Sequence, residues 1–370
     1  MTKAVHKRLG DLLNLKRGYD LPESQRRPGP YPVISSAGIT GYHDEYMVEG
    51  QGVITGRYGT LGEMYYVDGK YWPHNTALYV TTFKGNDPKY IYYLLTCLGR
   101  IRTSDKSAVP GVNRNELHEM EIPAISDTKQ QKKVAAILAA LDAKIDCNNR
   151  INAELEAMVK SLYDYWFVQF EFPDANGKPY KSSGGKMVYN ATLKRDIPAG
   201  WSSGTLATLI SLEYGKPLKA NIRTGDGFPV LGSSGVVGYH SEYLVQGPGI
   251  VVGRKGTIGA ITYVYENFFP IDTTYYVKKF IDIDFCYLKF LLRSIGLEKM
   301  NSDSAVPGLN RGAALRTSIV IPPTDAIQIF DSKTAAILSK QHSILRENQQ
   351  LTQLRDWLLP LLMNGQVTVA

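Results

Sequence analysis

Cysteine is scarce. Cys97, Cys147 and Cys286 stand far apart in 370 residues and form no Cys-x-x-Cys pair. A disulfide framework and a structural zinc site are therefore not expected, and a reducing compartment suits the chain. No apolar run reaches about 18 residues, the length a membrane-crossing helix needs. The opening MTKAVHKRLGDLL has neither a secretory apolar core nor a cleavage site, so a cytoplasmic location is expected. Catalytic signatures are missing as well: no HExxH, no GxSxG, no carboxylate pair with lysine at nuclease spacing, and no Asn/Asp-Pro-Pro-Tyr/Phe of the kind used on a flipped adenine. His43 and His240 recur, yet no Asp or Cys partner accompanies both, and Ser107 and Ser304 lack a repeated His–Asp pair. Catalysis by this chain alone is not expected.

What the chain has is basic charge and a duplication. Its 42 Lys and Arg exceed its 35 Asp and Glu, giving +7 and a pI near 9.0. That balance suits a polyanion such as nucleic acid, since cations that neutralise phosphates release counterions. Residues Pro32–Arg114 align without a gap on Pro229–Arg311, at a constant offset of 197, with about two in five positions identical. GYHDEY at Gly41 matches GYHSEY at Gly238, GRYGTLG at Gly56 matches GRKGTIG at Gly253, and SAVPGVNR at Ser107 matches SAVPGLNR at Ser304. Two domain-sized copies exclude a many-unit solenoid.

Each copy reads as short glycine-punctuated strands (Tyr31–Ser35, Gly52–Thr55, Glu63–Val67, Ala77–Thr82), then a helix from Pro88 to about Arg102, the SAVPG loop, and a last strand ending at Pro123 or Pro322. A long helix closes each copy. In the first, Asp127 and Gln130 have capping-box spacing, and Leu138, Leu141, Ile145, Asn148, Asn152, Leu155, Val159, Leu162 and Trp166 form a heptad-like seam. In the second, Leu338, Leu345, Asn348, Leu351, Leu354, Leu358 and Leu361 do so with one step out of phase, a stammer. Asn148 and Asn348 fall at matching places and are expected to fix the register of a helix pair; the alternative has both facing solvent. Phe172–Pro198, rich in Pro, Gly, Lys and Ser, reads as a linker. The expected fold class is mixed, α/β of the α+β kind.

The GRYGTLG loop lacks the GK[ST] ending of a P-loop and precedes a strand rather than a helix, which disfavours nucleotide binding. It reads as a tight turn that presents Arg57 or Arg254; a plain structural turn is the alternative. If both copies bind DNA of different sequence, residues identical in the two copies cannot encode the difference and should build the fold or grip phosphate. That set holds Arg57 and Arg254, Thr60 and Thr257, Ser107 and Ser304, Asn113 and Asn310, and Arg114 and Arg311, with Ser36, His43 and His240 as further DNA-facing candidates. Base readout is expected where the copies differ: Tyr58 against Lys255, Ala37 against Ser234, Thr40 against Val237, Asp44 against Ser241, and His74–Asn75 against Ile271–Asp272. Lys255 has the chemistry to reach guanine O6 and N7, which Tyr58 has not.

Together, LKRGYDLP (Leu15–Pro22), PYPVISSAGITGYHDEY (Pro30–Tyr46), TGRYGTLG (Thr55–Gly62), NDPKYIYYLL (Asn86–Leu95), DKSAVPGVNRNELHEMEIP (Asp105–Pro123) and AAILAALDAKIDCNNRINAELEAM (Ala135–Met158) resemble the specificity (S) subunit of type I restriction–modification systems over essentially the whole chain. The resemblance implies target-recognition domains at 1–125 and 200–322, a central helix at 126–170, a linker at 171–199 and a C-terminal helix at 323–370. It implies that the two helices pair antiparallel as a coiled coil, act as a spacer and dock two modification (M) subunits. Helices of about 40 residues span roughly 60 Å, enough to separate two half-sites of a bipartite DNA site. The resemblance also places S-adenosylmethionine on the M subunits and ATP and Mg on restriction (R) subunits, with no cofactor or metal in this chain. Ile151 and Met158, outside the seam, are candidate M contacts. The alternative function is a protein-binding repeat scaffold without DNA specificity.

Overall fold

The computed structural model describes residues 4–57, 63–98, 113–300 and 308–369. The chain divides into two compact units, Met1–Asn149 with Arg346–Ala370 (unit 1) and Arg150–Leu345 (unit 2). Unit 1 contains β1 (Val5–Arg8), α1 (Leu9–Leu12), β2 (Asn14–Arg17), β3 (Tyr31–Ser35), β4 (Gly38–His43), β5 (Val48–Gly56), β6 (Met64–Pro73), β7 (Ala77–Thr82), α2 (Pro88–Cys97), α3 (Arg114–Glu119), β8 (Glu121–Ala124) and the first part of α4 (Thr128–Tyr163). Its main sheet has the order β2-β7-β5-β6-β3-β4, antiparallel except for β3 beside β6, and β1 pairs with β8.

Unit 2 holds the rest of α4, then β9 (Met187–Asn190), β10 (Arg195–Pro198), β11 (Ser202–Thr205), β12 (Ile210–Tyr214), β13 (Phe228–Gly232), β14 (Gly235–His240), β15 (Gly249–Gly253), β16 (Ile261–Val264), β17 (Phe269–Pro270), β18 (Thr274–Lys279), α5 (Phe285–Ile295), α6 (Arg311–Leu315), β19 (Ser318–Ile321) and the first part of α7 (Thr324–Met363). The offset of 197 carries the strand pairs across: β3–β4 and β13–β14 share their register and even their bulge, at Val33/Ile34 and Val230/Leu231. It also extends back to β1 and β11, which pair with β8 and β19 in matching register.

Local chemistry sets the helix ends. Asp87 caps α2 by accepting from Tyr90 N at 2.9 Å, and Pro88 takes the first helical position, where a missing N–H costs nothing. Tyr90, Ile91, Leu94 and Leu95 are its buried face, as their spacing predicts. The helix ends at Cys97, while the expected extension to Arg102 falls outside the described residues. Residues 171–199, read as a linker, contain the β9–β10 hairpin. Beside it Phe172 stacks on Tyr180 and Trp201 at 4.6 and 4.8 Å. Aromatic area offsets the Gly- and Ser-rich composition there.

The long helices run antiparallel within each unit. In unit 1, Val134, Ala135 and Leu138 of α4 join a core with Leu9, Leu12, Tyr90 and Leu94 and with Leu359, Leu362 and Met363 of α7. Farther along, Asp142 meets Arg355 at 3.0 Å and Asn148 meets Asn348 at 2.8 Å. In unit 2, Val159, Tyr163 and Trp166 pack with Phe330 and Leu338. Each helix thus buries apolar surface on its own β module as well as on its partner, at roughly 1.5–3 kcal/mol for each large side chain fully buried. The α7 seam departs from the expected one. Leu345 and Leu354 are both 43% exposed, while Thr334, Gln341 and Ile344 are buried. Polar side chains occupy seam positions. The seam assigned to α4 ends in a π turn at Asp164–Val168, where Gln169 N donates to Asp164 O. No helix among the described residues is long and apolar enough to cross a membrane.

Candidate nucleic-acid interface

In unit 2 the GRKGTIG loop follows β15 and folds back on itself. Gly253 N donates to Ala260 O and Gly259 N to Gly253 O, both at 2.8 Å. A Cβ on Gly253 would lie 2.0 Å from Thr257 O, and one on Gly259, at φ +70, 2.3 Å from Glu298 N. Only glycine fits either place. The loop holds Lys255 and Thr257 exposed. Arg254 N and Lys255 N both donate to Thr273 O, and Arg254 O accepts from Leu309 N at 2.9 Å. That last bond ties the loop to the segment that carries Asn310 and Arg311.

The two shared arginines meet on one ring. The Arg254 guanidinium lies 5.0 Å and that of Arg311 5.7 Å from the centre of Tyr214, at the end of β12. Tyr214 in turn packs edge-on against Tyr275 at 5.1 Å. Arg254 Nη1 donates to Asp272 O at 2.9 Å, and Arg311 Nη2 stands 3.4 Å from Glu213. Asn310 caps α6, its Oδ1 accepting from Ala313 N at 2.9 Å. This is a half-buried, pre-positioned cationic surface with remaining N–H donors, the chemistry a phosphate takes.

In unit 1 the same backbone frame recurs: Arg57 N donates to Thr76 O at 2.8 Å just beyond β5. Asn113 caps α3, Oδ1 accepting from Asn115 N at 3.0 Å, and Arg114 is exposed at the first position of that helix. Leu15 N donates to His118 Nε2 at 2.9 Å and fastens α3 to β2. Tyr58, Thr60, Ser107 and Ser304 lie outside the described residues.

The histidines require correction. His43 is 3% exposed; its Nδ1 accepts from Arg27 N at 3.1 Å and its ring packs edge-on against Trp72 at 5.4 Å. It builds the β3–β4 hairpin and presents nothing to a ligand. Its counterpart His240 is half-buried, edge-on to Phe269. Ser36 lies half-buried in the β3–β4 turn, its N–H facing Thr76 Oγ1 at 3.4 Å, while Ser234 in the matching turn is exposed. Among the expected base readers, Ala37, Thr40, Val237 and Ser241 are exposed, and Asp44 is held by Arg27 at 2.7 Å, a hydrogen bond that keeps its carboxyl below the ordinary value. His74 is half-buried and held below its ordinary pKa by burial.

Sequence reasoning missed three features. Arg26 and Arg223, again at the offset of 197, each send Nη1 to a carbonyl of the hairpin, Thr40 O at 2.9 Å and Val237 O at 2.7 Å. Taking the repeat to begin at Pro32 left them out. Tyr214 was missed because Arg17 stands at that place in the first copy. Ile39 and Tyr42 on β4, and Val236 on β14 beside the expected reader Val237, expose apolar surface in both units, suited to contact with thymine methyl groups.

A family model described as type I restriction modification DNA specificity domain matches residues 1–157. The chain is 24% identical over 322 residues to the type I restriction enzyme HindI specificity subunit of Haemophilus influenzae, covering 66% of this chain and 68% of that protein. To the type I restriction enzyme MjaIX specificity subunit of Methanocaldococcus jannaschii it is 25% identical over 312 residues, 76% and 69% of the two chains. The fold is similar to the crystal structure of the type I restriction–modification S subunit from M. genitalium, with a TM-score of 0.60 and 19% identity over 97% of this chain and 96% of that one.

Proposed function

We propose that the chain is a specificity subunit of the type I restriction–modification kind, as the family model over residues 1–157 and the similar specificity subunits support, and that each of its repeats reads one half of a bipartite duplex-DNA site. The observation that carries this reading is the convergence of Arg254 and Arg311 on Tyr214, built from two loops whose sequences recur in the other copy. Phosphate contacts position a protein on DNA and base contacts specify sequence. On this reading Arg57, Arg114, Arg254 and Arg311 grip phosphate. The differing positions Ala37 and Ser234, Thr40 and Val237, and Tyr58 and Lys255 read bases.

The helix pair would act as spacer, with Asn148 and Asn348 fixing its register. Asn148 Nδ2 donates to Asn348 Oδ1 and Asn348 Nδ2 to Asn149 Oδ1, both at 2.8 Å. Two modification subunits would bring S-adenosylmethionine and methylate adenine, and restriction subunits would bring ATP and Mg. Ile151 and Met158, 39% and 58% exposed, are suited to contact a modification subunit.

Mapping adenine methylation in cells that express this chain with its modification subunit tests the reading. A two-part motif with a methylated adenine in each half is expected. An active, assembled complex that leaves DNA unmethylated would instead favour a protein-binding scaffold. In that complex Arg57→Ala and Arg254→Ala should each weaken DNA binding roughly tenfold and flatten its salt dependence by about one charge. Unchanged affinity in both variants would remove these loops from the interface.

A further inference from the structure

Gln131 in α4 and Asp331 in α7 hold matching places early in the two long helices. Each accepts from the N–H of the residue that caps the neighbouring short helix: Asp87 N donates to Gln131 Oε1 at 2.8 Å, and Asp284 N to Asp331 Oδ2 at 3.0 Å. In unit 1 the other end of the amide is used too, since Gln131 Nε2 donates to Asn86 Oδ1 and to Ile125 O, each at 2.7 Å. An ionised carboxylate has no such donor. Asp331 is 9% exposed and its Oδ1 is buried without a hydrogen-bond partner. A stranded acceptor of this kind destabilises the fold until a donor meets it.

Asp331 also lines a cavity of about 570 Å³, shared with Gln246, Asp282, Asp284, Gln328 and Lys279. The lysine is engaged elsewhere: its Nζ donates to Ile283 O at 2.7 Å and lies 5.0 Å from the centre of the Phe285 ring. Asp284 spends Oδ1 on its own helix cap, accepting from Phe285 N. Three carboxylates against one lysine leave the wall with an excess of negative charge, which the neutral amides of Gln246 and Gln328 do not offset. No three His, Cys, Asp or Glu among the described residues come together so as to hold a metal ion. The carboxylates are spread along the wall, which suits an extended donor with several N–H groups better than a point ion.

We propose that this cavity of unit 2 binds an ammonium or guanidinium group, which donates to the Asp331 carboxylate and takes up its unmet acceptor capacity. A cavity of this size holds a short aliphatic amine or the end of a basic side chain. The group comes either from a free amine such as putrescine or agmatine or from a lysine of a bound subunit.

The test is thermal unfolding of the complex of this chain with its modification subunits at pH 7.5, titrated with putrescine or agmatine against sodium chloride of equal ionic strength. A saturable rise in Tm is expected for the wild type. Asp331→Asn, which keeps an acceptor for Asp284 N and gains donors as in Gln131, should bind the amine at least about tenfold more weakly, a change of about 1.4 kcal/mol. If neither amine acts on the wild type, carbodiimide coupling of the Asp331 peptide to a lysine of the modification subunit would assign the site to that side chain. Equal stabilisation of wild type and Asp331→Asn, or neither an amine effect nor a cross-link, overturns the proposal.

Discussion

The two repeats share a frame and differ in how its interior is satisfied. In unit 1, β5 and β6 pair without a break from Val48–Tyr71 to Thr55–Met64, so six strands form one sheet. In unit 2 the corresponding strand is interrupted between β16 and β17, and the sheet divides into sets of four and three. Pro248 stands where the first copy has Gln51, and proline offers no N–H to a ladder. The ladder is therefore broken between the Val245–Phe268 bridge and Gly249, and Gly247 N turns to Asn267 Oδ1 at 3.0 Å. A duplicated fold survives the loss of strand pairing when a side chain takes up the orphaned donor. Polar substitutions between the copies are thus where their energetics part.

The largest such difference lies where the short helices meet the long ones. In unit 2, Lys289 of α5, 5% exposed, places Nζ 2.6 Å from Glu156 Oε2, and Arg293 joins the same carboxylate. Burial works against the Glu156 carboxylate, but Lys289 and Arg293 hold its pKa below the ordinary value. In unit 1 the place of Lys289 belongs to Tyr92. The next residue, Tyr93, donates a neutral hydroxyl to Asp142 at 2.6 Å, and Asp142 also meets the part-exposed Arg355. Glu156→Ala leaves a buried ammonium without a partner and should cost unit 2 about 3–5 kcal/mol. Asp142→Ala should cost unit 1 less, on the order of 1–2 kcal/mol, since Arg355 has access to water. Denaturant unfolding followed at Trp166 and Trp201 for unit 2 and at Trp72 for unit 1 reads both. Equal costs would mean that burial does not separate the pairs.

Strands β3, β5, β6, β7 and β8 were legible in advance, because alternation and glycine punctuation are local signals, while the short β1 and β2 and the glycine-broken β4 were not named. The seam of α7 was less legible. Thr334 and Gln341 are buried there with their polar groups bonded to backbone carbonyls, which a count of leucines does not register. Helices α3 and α6 were missed because they are scarcely longer than one turn and rest on a single asparagine cap each. For the candidate interface, sequence identity between copies could not separate buried, structural residues from exposed ones. His43 and Arg57 recur equally, and only the fold buries the first.

Gln131 against Asp331 gives the next contrast, and pH exposes it. Burial raises the Asp331 carboxyl to about 6, with Asp284 adding repulsion and Lys279 opposing it; Asp282 lines the same cavity. The folded pKa lies above the unfolded value, so the folded state holds its proton more tightly. The stabilising contribution is complete below about pH 4 and is lost as pH rises through about 6, amounting to about 2–3 kcal/mol. Asp331→Asn should remove that slope and stabilise unit 2 by a similar amount at pH 7.5. A pH profile of Tm in which the wild type and Asp331→Asn run parallel from pH 4.5 to 7.5 would show that Asp331 does not titrate in the folded protein.

The smallest effect concerns one hydroxyl. Gly52 and Gly249 each leave room for an aromatic ring, Tyr71 in unit 1 and Phe268 in unit 2, and any Cβ would lie within 3 Å of it. Both rings are 0% exposed, yet the Tyr71 hydroxyl has no hydrogen-bond partner, and burial moves its pKa up to about 12. A buried donor left unpaired costs more than its removal. Tyr71→Phe should therefore be neutral or stabilise unit 1 by up to about 1 kcal/mol, and Phe268→Tyr should destabilise unit 2 by about 1–3 kcal/mol. The pair works as a reciprocal exchange in which the ring volume barely changes. A loss of 1 kcal/mol or more in Tyr71→Phe would show that the hydroxyl is satisfied in solution, and the two interiors would then differ by a hydrogen bond gained rather than a donor stranded.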